Sequence, residues 1–68
     1  MNYVIKYRGV LTEMYVVGFS EPMEMADGER SVKASNLIAD AKVFSESELA
    51  DALALTRRCF PDATEIEL

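Results

Sequence analysis

One cysteine and no histidine among 68 residues leave this chain with no internal disulfide and no cysteine–histidine metal site to hold it together. Whatever it folds into must rest on a single hydrophobic core. A chain of this size buries only about 60% of the surface its unfolded form exposes, so the core needs most of the residues, and one domain spanning 1–68 is expected. Half of the residues are apolar and 28% are charged, too hydrophobic a balance for a disordered tail.

Residues 2 to 18 read as a β-hairpin. Two runs rich in Val, Ile and Tyr flank Gly9-Val10, where glycine in the first central position suits a two-residue type II′ turn. The register that follows sets Arg8 opposite Leu11 and, on the face expected to be the core, Tyr7 opposite Thr12, Ile5 opposite Met14 and Tyr3 opposite Val16. Lys6 then meets Glu13, and Val4 meets Tyr15, on the outer face. That outer face also carries Leu11, Tyr15, Val17 and Phe19, which is more apolar than a solvated face requires.

From Ser20 to Glu29 a proline, Asp27-Gly28 and four acids mark a loop or a loose second hairpin. Arg30 to Ala34 reads as a short third strand with Val32 inward, pairing back toward Met23 to Met25. Ser35-Asn36 precedes a single helical turn through Leu37 and Ile38. The helix is the clearest element: Ser45 and Glu48 stand at capping-box spacing, Glu46, Glu48 and Asp51 match the positive end of the dipole, and Arg57 and Arg58 match the negative end. Leu49, Ala52, Leu53, Thr56, Cys59 and Phe60 form its apolar stripe, and Pro61-Asp62 ends it. Thr64 to Leu68 alternates as a final strand, with Ile66 and Leu68 on one face and Glu65 and Glu67 on the other. The fold class is therefore α+β, a small antiparallel sheet in β-β-(β)-α-β order with one helix packed on one face.

The twelve acids outnumber the seven bases, for a net charge of −5. Such a balance repels phosphate backbones and anionic membranes and favours a basic partner. Nothing in the opening residues reads as a signal peptide or a spanning helix, and the cytoplasm is the default compartment. Catalytic groups are scarce: Cys59 lacks a histidine to activate it and reads as a small buried hydrophobe on the helix stripe. Glu21, Glu24, Asp27 and Glu29 do not follow the calcium-loop spacing. A pair of carboxylates needs a cleft that a domain this small can scarcely build. No enzyme, metal or cofactor is expected. The candidate contact residues are the acids Glu21, Glu24, Asp27 and Glu29 with Tyr15 and Phe19 as apolar anchors; Met23 and Met25 are either core fillers or adaptable contacts.

The tyrosine- and valine-rich opening strand, the hairpin, the Ala41-Lys42-Val43-Phe44-Ser45 segment, the acid-started helix and the last strand together resemble very small acidic proteins encoded by bacteriophages and prophages. That class includes anti-CRISPR inhibitors. The resemblance implies a non-catalytic inhibitor that blocks a basic nucleic-acid-binding site on a host protein such as a CRISPR effector nuclease, in the bacterial cytoplasm. The acids here are interrupted by Arg30, Lys33, Lys42, Arg57 and Arg58, unlike a full duplex mimic. The alternative is a structural accessory protein that forms a homodimer through its sheet or its outer hairpin face and has no inhibitory role.

Overall fold

The two Val- and Tyr-rich runs pair as an antiparallel hairpin, β1 (Asn2–Arg8) with β2 (Glu13–Phe19), but two residues away from the expected register. The computed structural model describes residues 1–20 and 31–68. Arg8 stands opposite Glu13, Tyr7 opposite Met14 and Lys6 opposite Tyr15. The shift comes from the turn, which runs from Gly9 to Thr12 and is closed by the Gly9 N–H donating to the Thr12 carbonyl at 2.9 Å. Glycine is needed there for room: a Cβ would lie 2.6 Å from both the Thr12 oxygen and the Met14 Cγ. An even shift keeps every side chain on its face, so Ile5, Tyr7 and Val16 are buried as expected. Lys6 and Glu13 still pair, at 3.3 Å, as diagonal neighbours on the outer face rather than as direct partners.

Past Val16 the faces change. β3 (Val32–Ser35) pairs with β2, Tyr15 opposite Ser35 and Val16 opposite Ala34, but then Gly18 opposite Lys33 and Phe19 opposite Val32. Val17 is the extra residue of a β-bulge, which reverses the alternation beyond it. Phe19 therefore sits with Val32 against the core, its ring centroid 6.4 Å from that of Phe44. The expected outer-face position of Phe19 is corrected accordingly. Val32 faces inward as expected; its expected pairing with Met23 to Met25 lies outside the described residues. Ser20 and Ser31 close the ends of the connection: Ser20 N–H donates to Ser31 C=O at 2.9 Å and Ser31 N–H to Ser20 Oγ at 2.7 Å.

A strand that the sequence reading did not separate from the approach to the helix is β4 (Phe44–Ser45), which pairs with Tyr3 and Asn2 of β1. β5 (Thr64–Glu67) pairs with β1 from Tyr3 to Lys6. Because β5 and β4 both meet Tyr3, and β5 and β2 both meet Lys6, β5 occupies one edge of β1, while β2 and β4 share the other. The Lys42 N–H donates to the Val16 carbonyl at 2.9 Å, so the chain entering β4 fills the gap where β2 parts from β1 to follow β3. Before it, a 3₁₀ turn (Ile38–Asp40) is tied by Ser35, whose hydroxyl accepts from the Leu37 N–H at 3.1 Å and donates to Asp40 at 3.0 Å.

The helix, α1 (Glu46–Cys59), starts and stops where its caps predict. The Glu48 carboxylate accepts from both the Ser45 N–H and the Ser45 hydroxyl, each at 3.0 Å, satisfying a donor that a helix start leaves without an intrahelical partner. Those two hydrogen bonds, backbone first, hold the Glu48 pKa below its ordinary value. Ala52 and Thr56 are buried, with Leu49, Leu53 and Phe60 half-buried against the core of Ile5, Tyr7, Val16, Phe44 and Ala63. The Thr56 hydroxyl donates to the Ala52 carbonyl at 2.8 Å, so no unmet donor is buried there. At the end of the helix Phe60 stacks on Tyr7, ring centroids 3.8 Å apart and 11° from parallel. That stack covers the Phe60 side of the last turn and leaves Cys59 exposed, against the expectation of a buried thiol.

β5 alternates as expected, but its apolar face is the one away from the helix. Ile66 pairs with Val4, which is buried outside the main core cluster, and Leu68 is exposed. Glu65 and Glu67 share the face of their partners Ile5 and Tyr3 and remain exposed at the sheet edge. Among the described residues, no helix is long and apolar enough to cross a membrane.

Candidate binding surface

Of the contact residues expected from sequence, Glu21, Glu24, Asp27 and Glu29 lie in segment 21–30, outside the described residues. Tyr15 is on the outer face, half-buried between Lys6 and Ser35 on its neighbouring strands. Phe19 is a core residue and leaves the set.

A different group of acids is brought together by topology. Glu46 opens the helix directly after β4, which pairs with Asn2 and Tyr3; Glu67 stands opposite Tyr3, and Glu65 opposite Ile5. Two elements, α1 and β5, thus deliver carboxylates around the half-buried Tyr3, whose hydroxyl donates to Glu46 Oε1 at 3.2 Å. Partial burial raises the Tyr3 pKa above its ordinary value; the hydrogen bond to Glu46 and the fields of Glu46, Glu67 and Glu65 push it further up. The phenol stays protonated as a donor. Sequence spacing could not unite these residues, since Tyr3 and Glu67 are 64 positions apart (67 − 3); the acid-x-acid alternation in β5 and the acid in the first helical turn were the available signals.

β2 runs antiparallel to β1, so Phe19 and Ser20 lie toward the Asn2 end.

At the opposite end, the β1–β2 turn carries Val10 and Leu11 at 98% and 91% exposure, side by side in water. Two open grooves flank it. One, of about 590 Å³, runs from Leu11 and Met14 to Ala34, Ser35 and Asn36; the other, of about 380 Å³, is lined by Tyr7, Met14 and Phe60 beneath Val10. Near the turn, Lys6 pairs with Glu13 on the outer face, Asp62 accepts the Arg8 backbone N–H at 2.7 Å, and Asp40 accepts from the groove-lining Ser35 hydroxyl at 3.0 Å.

Among the described residues, no three His, Cys, Asp or Glu side chains are grouped to hold a metal ion. The chemistry on offer is hydrogen bonding and charge at the Tyr3 end and apolar contact at the turn. No family model matches the chain, and neither a curated protein nor a solved structure matches it.

Proposed function

We propose that this protein is a non-catalytic binding protein, encoded by a phage or prophage, that blocks a basic nucleic-acid-handling site on a protein of the bacterial cytoplasm, as an anti-CRISPR inhibitor does. The observation that carries this reading is the gathering of Glu46, Glu65 and Glu67 around Tyr3 at one end of the sheet. Carboxylates concentrated at one end attract a basic surface from a distance and orient the encounter, an effect that salt suppresses. Tyr3 supplies an aromatic body with a hydroxyl already turned toward the acids, and tyrosine is enriched where interfaces carry their energy. Glu21, Glu24, Asp27 and Glu29 remain contact acids on the strength of the sequence, and Tyr15 remains a contact residue on the outer face.

The test starts with tagged protein incubated in bacterial lysate at low and high salt, with the retained protein identified by mass spectrometry and its association kinetics measured across ionic strength. Replacing Glu46, Glu65 and Glu67 with glutamine should slow association and flatten its salt dependence while dissociation changes less. A partner whose binding ignores both salt and the three replacements refutes the electrostatic reading.

A further inference from the structure

We infer that the outer edge of β5 is a strand-addition site, which takes an extended antiparallel segment of the basic partner proposed above, with lysine or arginine opposite Glu65 and Glu67 and an apolar side chain between them. The inference rests on the reading of a basic partner and states how that partner is held. β5 ends the sheet, paired with β1 on one side. The Leu68 N–H donates to the Asn2 carbonyl at 2.8 Å, which makes Asn2 and Leu68 a hydrogen-bonded pair, and in an antiparallel ladder such pairs alternate. Val4 with Ile66 and Lys6 with Thr64 therefore exchange bonds in the same way, while the N–H and C=O groups of Glu65 and Glu67 point away from β1. Among the described residues, no backbone bond reaches those outward groups. At the Ala63 end the chain closes the edge itself: the Ala63 N–H donates to the Phe60 carbonyl at 3.0 Å, and the Ala63 carbonyl accepts from Arg57 Nε at 2.9 Å. A strand added beyond that point meets Glu65 and Glu67, and backbone bonds of this kind are what give strand addition its affinity.

Charge selects the occupant. The Glu65 and Glu67 side chains are exposed on the face of Ile5 and Tyr3, where Glu46 accepts from the Tyr3 hydroxyl. Lys6, opposite Thr64, pairs with Glu13 on the other face, and Arg57 is turned onto Ala63. A second copy adding through its own β5 about a two-fold axis would set Glu65 against Glu67 twice over, and like charges directly opposite one another destabilise a strand pair. Bases in those positions stabilise it by the same rule. The strand at the other end of the sheet, β3, carries Lys33 and no acid, so a basic segment is directed to β5. On the reverse face the half-buried Ile66 lies beside Val4 and offers apolar contact to the side chain that falls between the two bases.

The probe is a blocked peptide in which arginine and valine alternate, titrated into isotope-labelled protein while amide hydrogen exchange is followed residue by residue. At saturation, exchange at Glu65 and Glu67 should slow by about tenfold or more, whereas Ile66, already bonded to Val4, should change little. Glu65→Gln/Glu67→Gln should weaken the peptide by about three- to tenfold, the loss of two opposite-charge cross-strand pairs. Methylating the peptide's arginine backbone nitrogens, which face β5, should abolish binding, and methylating its valine nitrogens, with the charge unchanged, should preserve it. Absence of binding, binding indifferent to the position of the methyl groups, or unchanged exchange at Glu65 and Glu67 overturns the inference. So does protection that rises with protein concentration alone, which would assign the edge to a second copy. A partner from lysate whose association depends on salt but which leaves Glu65 and Glu67 unprotected overturns strand addition and leaves the electrostatic reading standing, so the two fail separately.

Discussion

Ile5→Ala should remove a large part of this protein's stability, while Leu11→Ala should remove almost none. Ile5 is fully buried on β1, the strand that pairs with β2, β4 and β5. The substitution deletes about three carbon groups at ~0.8 kcal/mol each, or roughly 2.4 kcal/mol of lost transfer energy. A cavity term of about 1 kcal/mol is added, because a strand paired on both edges cannot collapse inward to fill the space. The sum, about 3–4 kcal/mol, compares with a total of roughly 3–10 kcal/mol for 68 residues at the usual density per residue. At about 4–8 °C per kcal/mol for a small domain, the thermal midpoint should fall by about 15–25 °C. Far-UV circular dichroism during heating and urea titration is the assay, with an unchanged urea slope expected if the unfolded state is unaltered. Leu11, at 91% exposure, loses no packing on truncation. A loss below about 1 kcal/mol for Ile5→Ala, well under the range for buried truncations, would refute the placement of the core.

Gly9, at the turn, and Gly18, within β2, should answer differently to alanine. Gly9→Ala forces a Cβ to within 2.6 Å of a carbonyl oxygen and should cost about 1–3 kcal/mol, whereas Gly18→Ala meets nothing within 4 Å and should be neutral or mildly stabilising; urea midpoints distinguish them. Glu48 has a depressed folded-state pKa, so its contribution is full above the unfolded carboxylate value of about 4.5 and drains as pH falls through the lower folded value. Melting temperatures from neutral to acid pH should therefore decline less steeply in Glu48→Gln than in the wild type, and equal slopes would contradict the assigned hydrogen bonds. Cys59, being exposed, should react with a colorimetric disulfide reagent in the native state as fast as it does in urea; strong native-state protection would restore the buried placement.

The helix was legible because everything that specifies it is local. A cap, a reciprocating acid three residues on, charges matched to the dipole and a 3.6-residue stripe all lie within Ser45 to Pro61, and none depends on a distant partner. The faces of β1 were legible for a related reason: strand alternation has period two, so even a register wrong by two residues kept Ile5, Tyr7 and Val16 inward. Phe19 was not legible. Its inward turn depends on the bulge at Val17, which arises where β2 leaves β1 for β3 and the chain before β4 fills the gap, a relation among three segments distant in sequence. Cys59 follows the same logic, since a stripe records which side chains are apolar, while exposure is decided by how far the sheet extends beneath the last turn and by the Tyr7–Phe60 stack that ends the contact. The sequence by itself determined the hairpin strands, the helix, the last strand, the class and the net charge, but not β4. Only the tertiary structure decided that Glu46, Glu65 and Glu67 meet at Tyr3 while Val10 and Leu11 stand at the other end, because antiparallel pairing of β1 with strands from both halves of the chain converts positions far apart in sequence into neighbours.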